Sequence, residues 1–107
     1  MSTLHLERRN GQLVACIDQA HLLNETQIHQ ANRMLLDICA QAAAKGVPMV
    51  VDFEGVQFIS SAMIGKLLML RKEAEHSGVE LFFRNLCSEI QQVIKVMRLN
   101  EAFQLTD

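Results

Sequence analysis

The sequence predicts an α/β domain. The sheet is mixed but mostly parallel, with four to five strands, helices packed on it and an N-terminal hairpin. Three observations predict this. Period-two alternation flanks Asn10-Gly11. A short Val-rich run, "VPMVVDF", follows a long amphipathic segment. Helix-like and strand-like segments then alternate to the end of the chain.

The first element pair is "LHLERRNGQLVACID". Leu4 and Leu6, then Leu13, Ala15 and Ile17, alternate with polar residues. Asn and Gly both tolerate the positive φ that a tight hairpin turn requires. In "LLNETQIHQANRMLLDICAQAAAKG", residues 22–46, Asn24 is a candidate N-cap with Gln27 three residues on, as in a capping box. Leu23 and Ile28 are placed to form a hydrophobic staple. Ile28, Ala31, Leu35, Cys39 and Ala42 then recur at spacings of three and four, which makes one apolar helix face. Gly46 supplies the stop, and Pro48 prevents continuation.

The run at 47–53 lacks alternation and reads as a strand buried on both faces. A strand reached through a long helix implies a parallel, right-handed crossover. Residues 54–58 form a loop, and a second helix runs from about Ser61 to Glu75. Its expected inner face holds Ala62, Met63, Leu67, Leu70 and Ala74, and Ser77-Gly78 ends it. "VELFF", 79–83, is a further strand. Ser88 and Gln91 match another capping box, ahead of the stripe Ile90, Val93, Ile94 and Met97. "AFQLT", 102–106, is a terminal strand or an irregular tail.

The chain's 107 residues suit a single domain, and half of them are hydrophobic. The formal charge of -2 supplies no basic field for nucleic acid or anionic lipid. Trp and Tyr are absent, which argues against a base-stacking surface. Cys16, Cys39 and Cys87 form no C-x-x-C pair and read as reduced structural thiols. "MSTLHLERRNGQ" has no long apolar run and does not read as a signal peptide, and no segment is long enough to span a membrane. The expected location is the cytoplasm.

Motifs for chemistry are sparse. His5, His21, His29 and His76 make neither H-x-x-x-H nor H-E-x-x-H, so no metal site is expected. The five glycines are isolated, so no phosphate loop and no cofactor are expected; a nucleotide-binding domain has the least support. "FISSAMIG", 58–65, puts serines at a strand-to-helix junction, but Ile59 and Met63 stand where a nucleophile elbow needs glycines. Asp52 and Glu54 show no acid/base pairing. The chain is not expected to be an enzyme.

Ser60 and Ser61 remain. The plain reading is N-capping, in which a hydroxyl accepts a bond from an orphaned helix N–H. A serine at a helix N-terminus is also well placed to carry phosphate, because the free N–H groups and the dipole favour a dianion there. The chemistry alone does not choose between the two serines.

The order of elements, together with "VVDFEGVQFISSAMIGKLLMLRKEAEHSGVELFF" and the tail "SEIQQVIKVMRLNEAFQL", resembles a STAS domain of the anti-sigma factor antagonist family over nearly the whole chain. The resemblance implies one STAS-like domain over 1–107 and a bacterial regulator of sigma factors. By position, the family's phosphoacceptor falls on Ser61. Ser60 stands for the motif's Asp, Ala62 for its second Ser and Met63 for its Gly. In "AHLLNET", 20–26, Ala20 and Leu23 replace a further Gly and Asp of the family. The implied partner is an anti-sigma serine kinase or another protein, with a homodimer left open. The implied contacts are Phe58, Ser60, Ala62, Met63, Ile64 and Asn24. An alternative is a STAS subunit of a larger assembly, either a phospholipid-transport ATPase complex or a stress-signalling scaffold, without a phosphoswitch.

Overall fold

A computed structural model describes residues 4–18, 22–96 and 105–106. The order is β1 (His5–Arg9), β2 (Gln12–Cys16), α1 (Glu25–Lys45), β3 (Met49–Asp52), α2 (Ser61–Ser77), β4 (Leu81–Arg84), α3 (Ser88–Val96) and β5 (Leu105–Thr106). The five strands lie in the order β1-β2-β3-β4-β5. β1 pairs antiparallel to β2, and every other pairing is parallel.

The hairpin closes at Arg9 opposite Gln12, with φ of 51° at Asn10 and 75° at Gly11. Positive φ at both central positions matches the strands' twist, as the dipeptide predicts. Three successive parallel crossovers then step across the sheet in one direction. Right-handed crossovers taken in one direction place all three helices on one face.

The core lies between that face and the helices. Leu13, Ala15, Met49, Val51, Leu81 and Phe83 project from the strands to meet Leu35, Cys39, Leu67, Leu70, Ile90 and Ile94. The Phe53 and Phe83 rings are 6.0 Å apart and tilted by 54°, within the range that favours aromatic pairs. All four residues of β3 are buried. On the opposite face Val14 lies beside Val50, and both are also buried. That is why the run at 47–53 shows no alternation.

Several local expectations need correction. Leu6 is half-exposed, because β1 is the edge strand and lies at the rim of the helical layer. Asn24 does cap α1, its Oδ1 accepting from the Gln27 N–H at 2.9 Å. The reciprocal half of the box is absent, however: Gln27 Oε1 is buried without a hydrogen-bond partner among the described residues. Leu22 is buried and Leu23 exposed, so Leu23 does not staple to Ile28. In α2 the buried face includes Ile64 and leaves Ala62 in solvent. Ser88 is the first residue of α3 rather than its cap, and its hydroxyl donates to Glu89. Gln91 instead donates its side-chain amide to the Leu86 carbonyl at 2.7 Å. Val93 is partly exposed on α3. Met97 and residues 102–104 lie outside the described residues.

Candidate functional site

The junction between β3 and α2 is built from its first residue. Asp52 ends β3 and is buried, with only 7% of its side chain exposed. Its Oδ1 accepts from Asn85 Nδ2 at 2.9 Å and from the Glu54 N–H at 3.0 Å. Its Oδ2 accepts from Arg84 at 3.1 Å and faces Arg9 at 3.7 Å. Burial pushes the Asp52 carboxyl up. The hydrogen bonds from Asn85, Glu54 and Arg84, with the Arg84 charge, outweigh that and hold it below the ordinary carboxylate range. Asp52 thus joins the ends of β1, β3 and β4 and fixes the start of the loop.

The loop is anchored along its length. The Val56 N–H donates to the Phe53 carbonyl at 2.9 Å, with Gly55 at φ 88° between them. That turn needs a residue that tolerates positive φ, and Gly does so without strain. Phe53 and Val56 are buried, and Ile59 packs against the core. The Cys87 thiol donates to the Gln57 carbonyl at 3.4 Å, tying the loop to the start of α3. Between these anchors Phe58 projects outward, 60% exposed.

The two serines then separate in role. Ser60 is the N-cap, with φ −82° and ψ 163°. Its Oγ accepts from the Met63 N–H at 3.2 Å, and its carbonyl accepts from the Ile64 N–H at 3.1 Å. Ser61 is the first helical residue and is exposed. Its hydroxyl has no hydrogen-bond partner among the described residues. The N–H groups of Ser61 and Ala62 are orphans of the first turn. α2 has no acidic residue in that turn, whereas α1 has Glu25 and α3 has Glu89. The positive end of the α2 dipole is therefore uncompensated by any side chain of its own first turn.

Met63 and Ile64 are fully buried, at 0% and 1% exposure. The expectation that they touch a partner is corrected: both point into the protein because α2 packs that side against the sheet. Met63 supports the junction from beneath and places no bulk on the surface beside Ser61. Ala62 is exposed. Asn24 is exposed but spends its carboxamide oxygen capping α1. Ala20 and His21 of the 20–26 turn lie outside the described residues. The first turn of α1 and Ala62 nevertheless line one groove, so the two stretches singled out in the sequence do meet.

Residues 26–107 match the family described as "Mlab, STAS domain". The chain belongs to the STAS family. Its fold also matches solved STAS structures. An anti-sigma-factor antagonist (STAS) domain protein from Planctomyces limnophilus superposes with a TM-score of 0.81 at 18% identity, covering 95% of this chain and 87% of that one. The anti-sigma factor antagonist SpoIIAA in its unphosphorylated form gives 0.72 at 16% identity, covering 98% and 89%. SpoIIAA in its phosphorylated form, described as a Bacillus cell fate determinant, gives 0.60 at 16%, covering 98% and 92%. At these identities the likeness is one of fold.

Among the described residues no cluster of three or more His, Cys, Asp or Glu could hold a metal ion. No helix among them is long and apolar enough to cross a membrane. Reasoning from sequence missed the Asp52–Arg84–Asn85 network. Its members are 32 and 33 residues apart and share no local pattern. It also missed Gly65, Lys66 and Met69, which face the groove beside Ala62. A glycine inside a helical pattern was the available signal.

Proposed function

We propose that the chain is a non-enzymatic, protein-binding regulator of the anti-sigma factor antagonist type, switched by phosphorylation of Ser61. It would act in the bacterial cytoplasm as a single STAS-like domain over residues 1–107. Its partner would be an anti-sigma serine kinase, and capture of that kinase would release a sigma factor. The observation that carries this reading is the division of labour at the α2 N-terminus. Ser60 performs the capping, so the Ser61 hydroxyl is left exposed without a structural duty. No base among the described residues is hydrogen-bonded to it, which supports a role as acceptor from another enzyme rather than as a nucleophile.

A phosphate on Ser61 would add nearly two negative charges where the helix has no acid of its own. The orphan N–H groups and the dipole favour it there, so the domain keeps its fold. The change falls on the surface shared by Phe58, Ser60 and Ala62. A kinase docked on that surface would then face a desolvated dianion, and binding would weaken.

The second reading is a STAS subunit of a larger assembly, a phospholipid-transport ATPase complex or a signalling scaffold, without the switch. The substitutions around Ser61 support it, since Ser60, Ala62 and Met63 all depart from the antagonist motif. Incubation with the anti-sigma serine kinase of the source cell and ATP, followed by intact mass, separates the readings. The first predicts one added phosphate on the wild type and on Ser60→Ala, and none on Ser61→Ala. No addition to the wild type, or addition that persists in Ser61→Ala, overturns it.

A further inference from the structure

Between the exposed sides of α1 and α2 runs a groove of about 780 Å³. β2, β3 and β4 are mutually parallel, so the two returning helices run in the same direction. The groove therefore follows the N-terminal halves of both. Its apolar floor includes Ile28 on one wall and Ala62, Gly65 and Met69 on the other. Met69 is 52% exposed.

Neither backbone conformation nor close packing requires a glycine at Gly65. It sits in the interior of α2, its φ is not positive, and a Cβ added to it would meet nothing within 4 Å. Glycine at such a site costs about 0.5–1 kcal/mol relative to alanine. What it does provide is depth: the α2 backbone is open to close approach from outside. The rim is charged. Arg33 and Lys66 flank the floor and form no ion pair among the described residues. Glu25 is the single carboxylate along the groove among the described residues.

We propose that this groove is the docking site for an amphipathic helix of a protein partner, with small or apolar residues along its ridge and carboxylates on its flanks. The inference rests on the reading of the α2 N-terminus as a protein-binding surface and names the chemistry of what lies against it. The ridge would seat against Gly65 and Met69. The flanking carboxylates would pair with Arg33 and Lys66. A helix fits an open groove through residues spaced three and four apart, and the unpaired cations select its charge.

The test uses two stapled helical peptides with the same Ala/Leu ridge, one flanked by glutamates and one by lysines. Each is titrated into the isotopically labelled 107-residue chain. The expected result is amide shift changes centred on Thr26, Ile28, Ala62, Gly65 and Met69, with the glutamate peptide at least tenfold tighter. Gly65→Gln should weaken it at least tenfold without lowering Tm, since it removes a helix glycine and its Cβ meets nothing within 4 Å. The pair Arg33→Glu and Lys66→Glu should invert the preference. Absence of groove shifts, equal affinity for the two peptides, unchanged binding by Gly65→Gln, or self-association through the groove in place of peptide binding would each overturn the proposal. A chain that accepts phosphate on Ser61 yet ignores the peptide keeps the switch and loses the groove.

Discussion

Replacing each serine of the junction by alanine separates their roles by thermodynamics alone. In Ser60→Ala the Met63 N–H loses its acceptor at 3.2 Å, and no other side chain among the described residues is bonded to it. Loss of such a cap costs about 1 kcal/mol. An unfolding entropy of about 2.1 cal/mol/K per residue converts that into a Tm lower by about 4–5 °C for a domain of this length. Ser61→Ala removes an exposed hydroxyl with no partner among the described residues and introduces a better helix former. It should leave stability within about 0.5 kcal/mol of wild type, with Tm unchanged or slightly raised. Urea denaturation followed by circular dichroism, with a calorimetric Tm for each variant, reads both. If Ser61→Ala costs as much as Ser60→Ala, Ser61 has a structural duty. The claim that it is held in reserve for modification then fails.

Other substitutions probe the support of the site. Asp52→Asn should cost about 2 kcal/mol at pH 7, because the Arg84 and Asn85 bonds lose a charged acceptor. The Asp52 carboxyl is held low in the folded state. Its contribution is therefore complete above the ordinary carboxylate range near pH 4 and is lost as pH falls through and below it. Stability measured from pH 7 to pH 2 should accordingly fall less steeply for Asp52→Asn than for wild type; parallel curves would contradict this. Met63→Ala removes a fully buried side chain and should cost about 2–5 kcal/mol by urea denaturation. Phe58→Ala, at a side chain 60% exposed, should cost less than about 1 kcal/mol while weakening the proposed kinase complex.

The elements were legible in the sequence because their signals are local. Asn10-Gly11 needs only its own φ values to make the hairpin, and the five periodic apolar positions of α1 are all buried. The Val-rich run is a central strand because residues on both of its faces are apolar. The failures are side-chain choices decided by tertiary contact. Whether Leu22 or Leu23 turns inward depends on the entry angle of α1. Gln27 has the right type and spacing for a capping box, yet its side chain lies elsewhere. At the site, the sequence placed two serines at a helix start but not their division of labour. That division turns on which residue adopts the extended cap conformation, and Ser60 does. Met63 and Ile64 were drawn to the surface by their nearness to Ser61 in sequence. Two and three residues further along a helix is most of a turn, and that turn faces the core.

In the proposed switch, a phosphate on Ser61 turns binding off without unfolding the domain. The most direct measurement is the calorimetric affinity of the anti-sigma serine kinase for the unmodified chain and for the chain carrying phosphoserine at position 61. The expected result is at least a tenfold loss of affinity on phosphorylation, an unchanged circular dichroism spectrum, and wild-type affinity for Ser61→Ala. Equal affinity of the two forms, or a loss that accompanies unfolding, would contradict it.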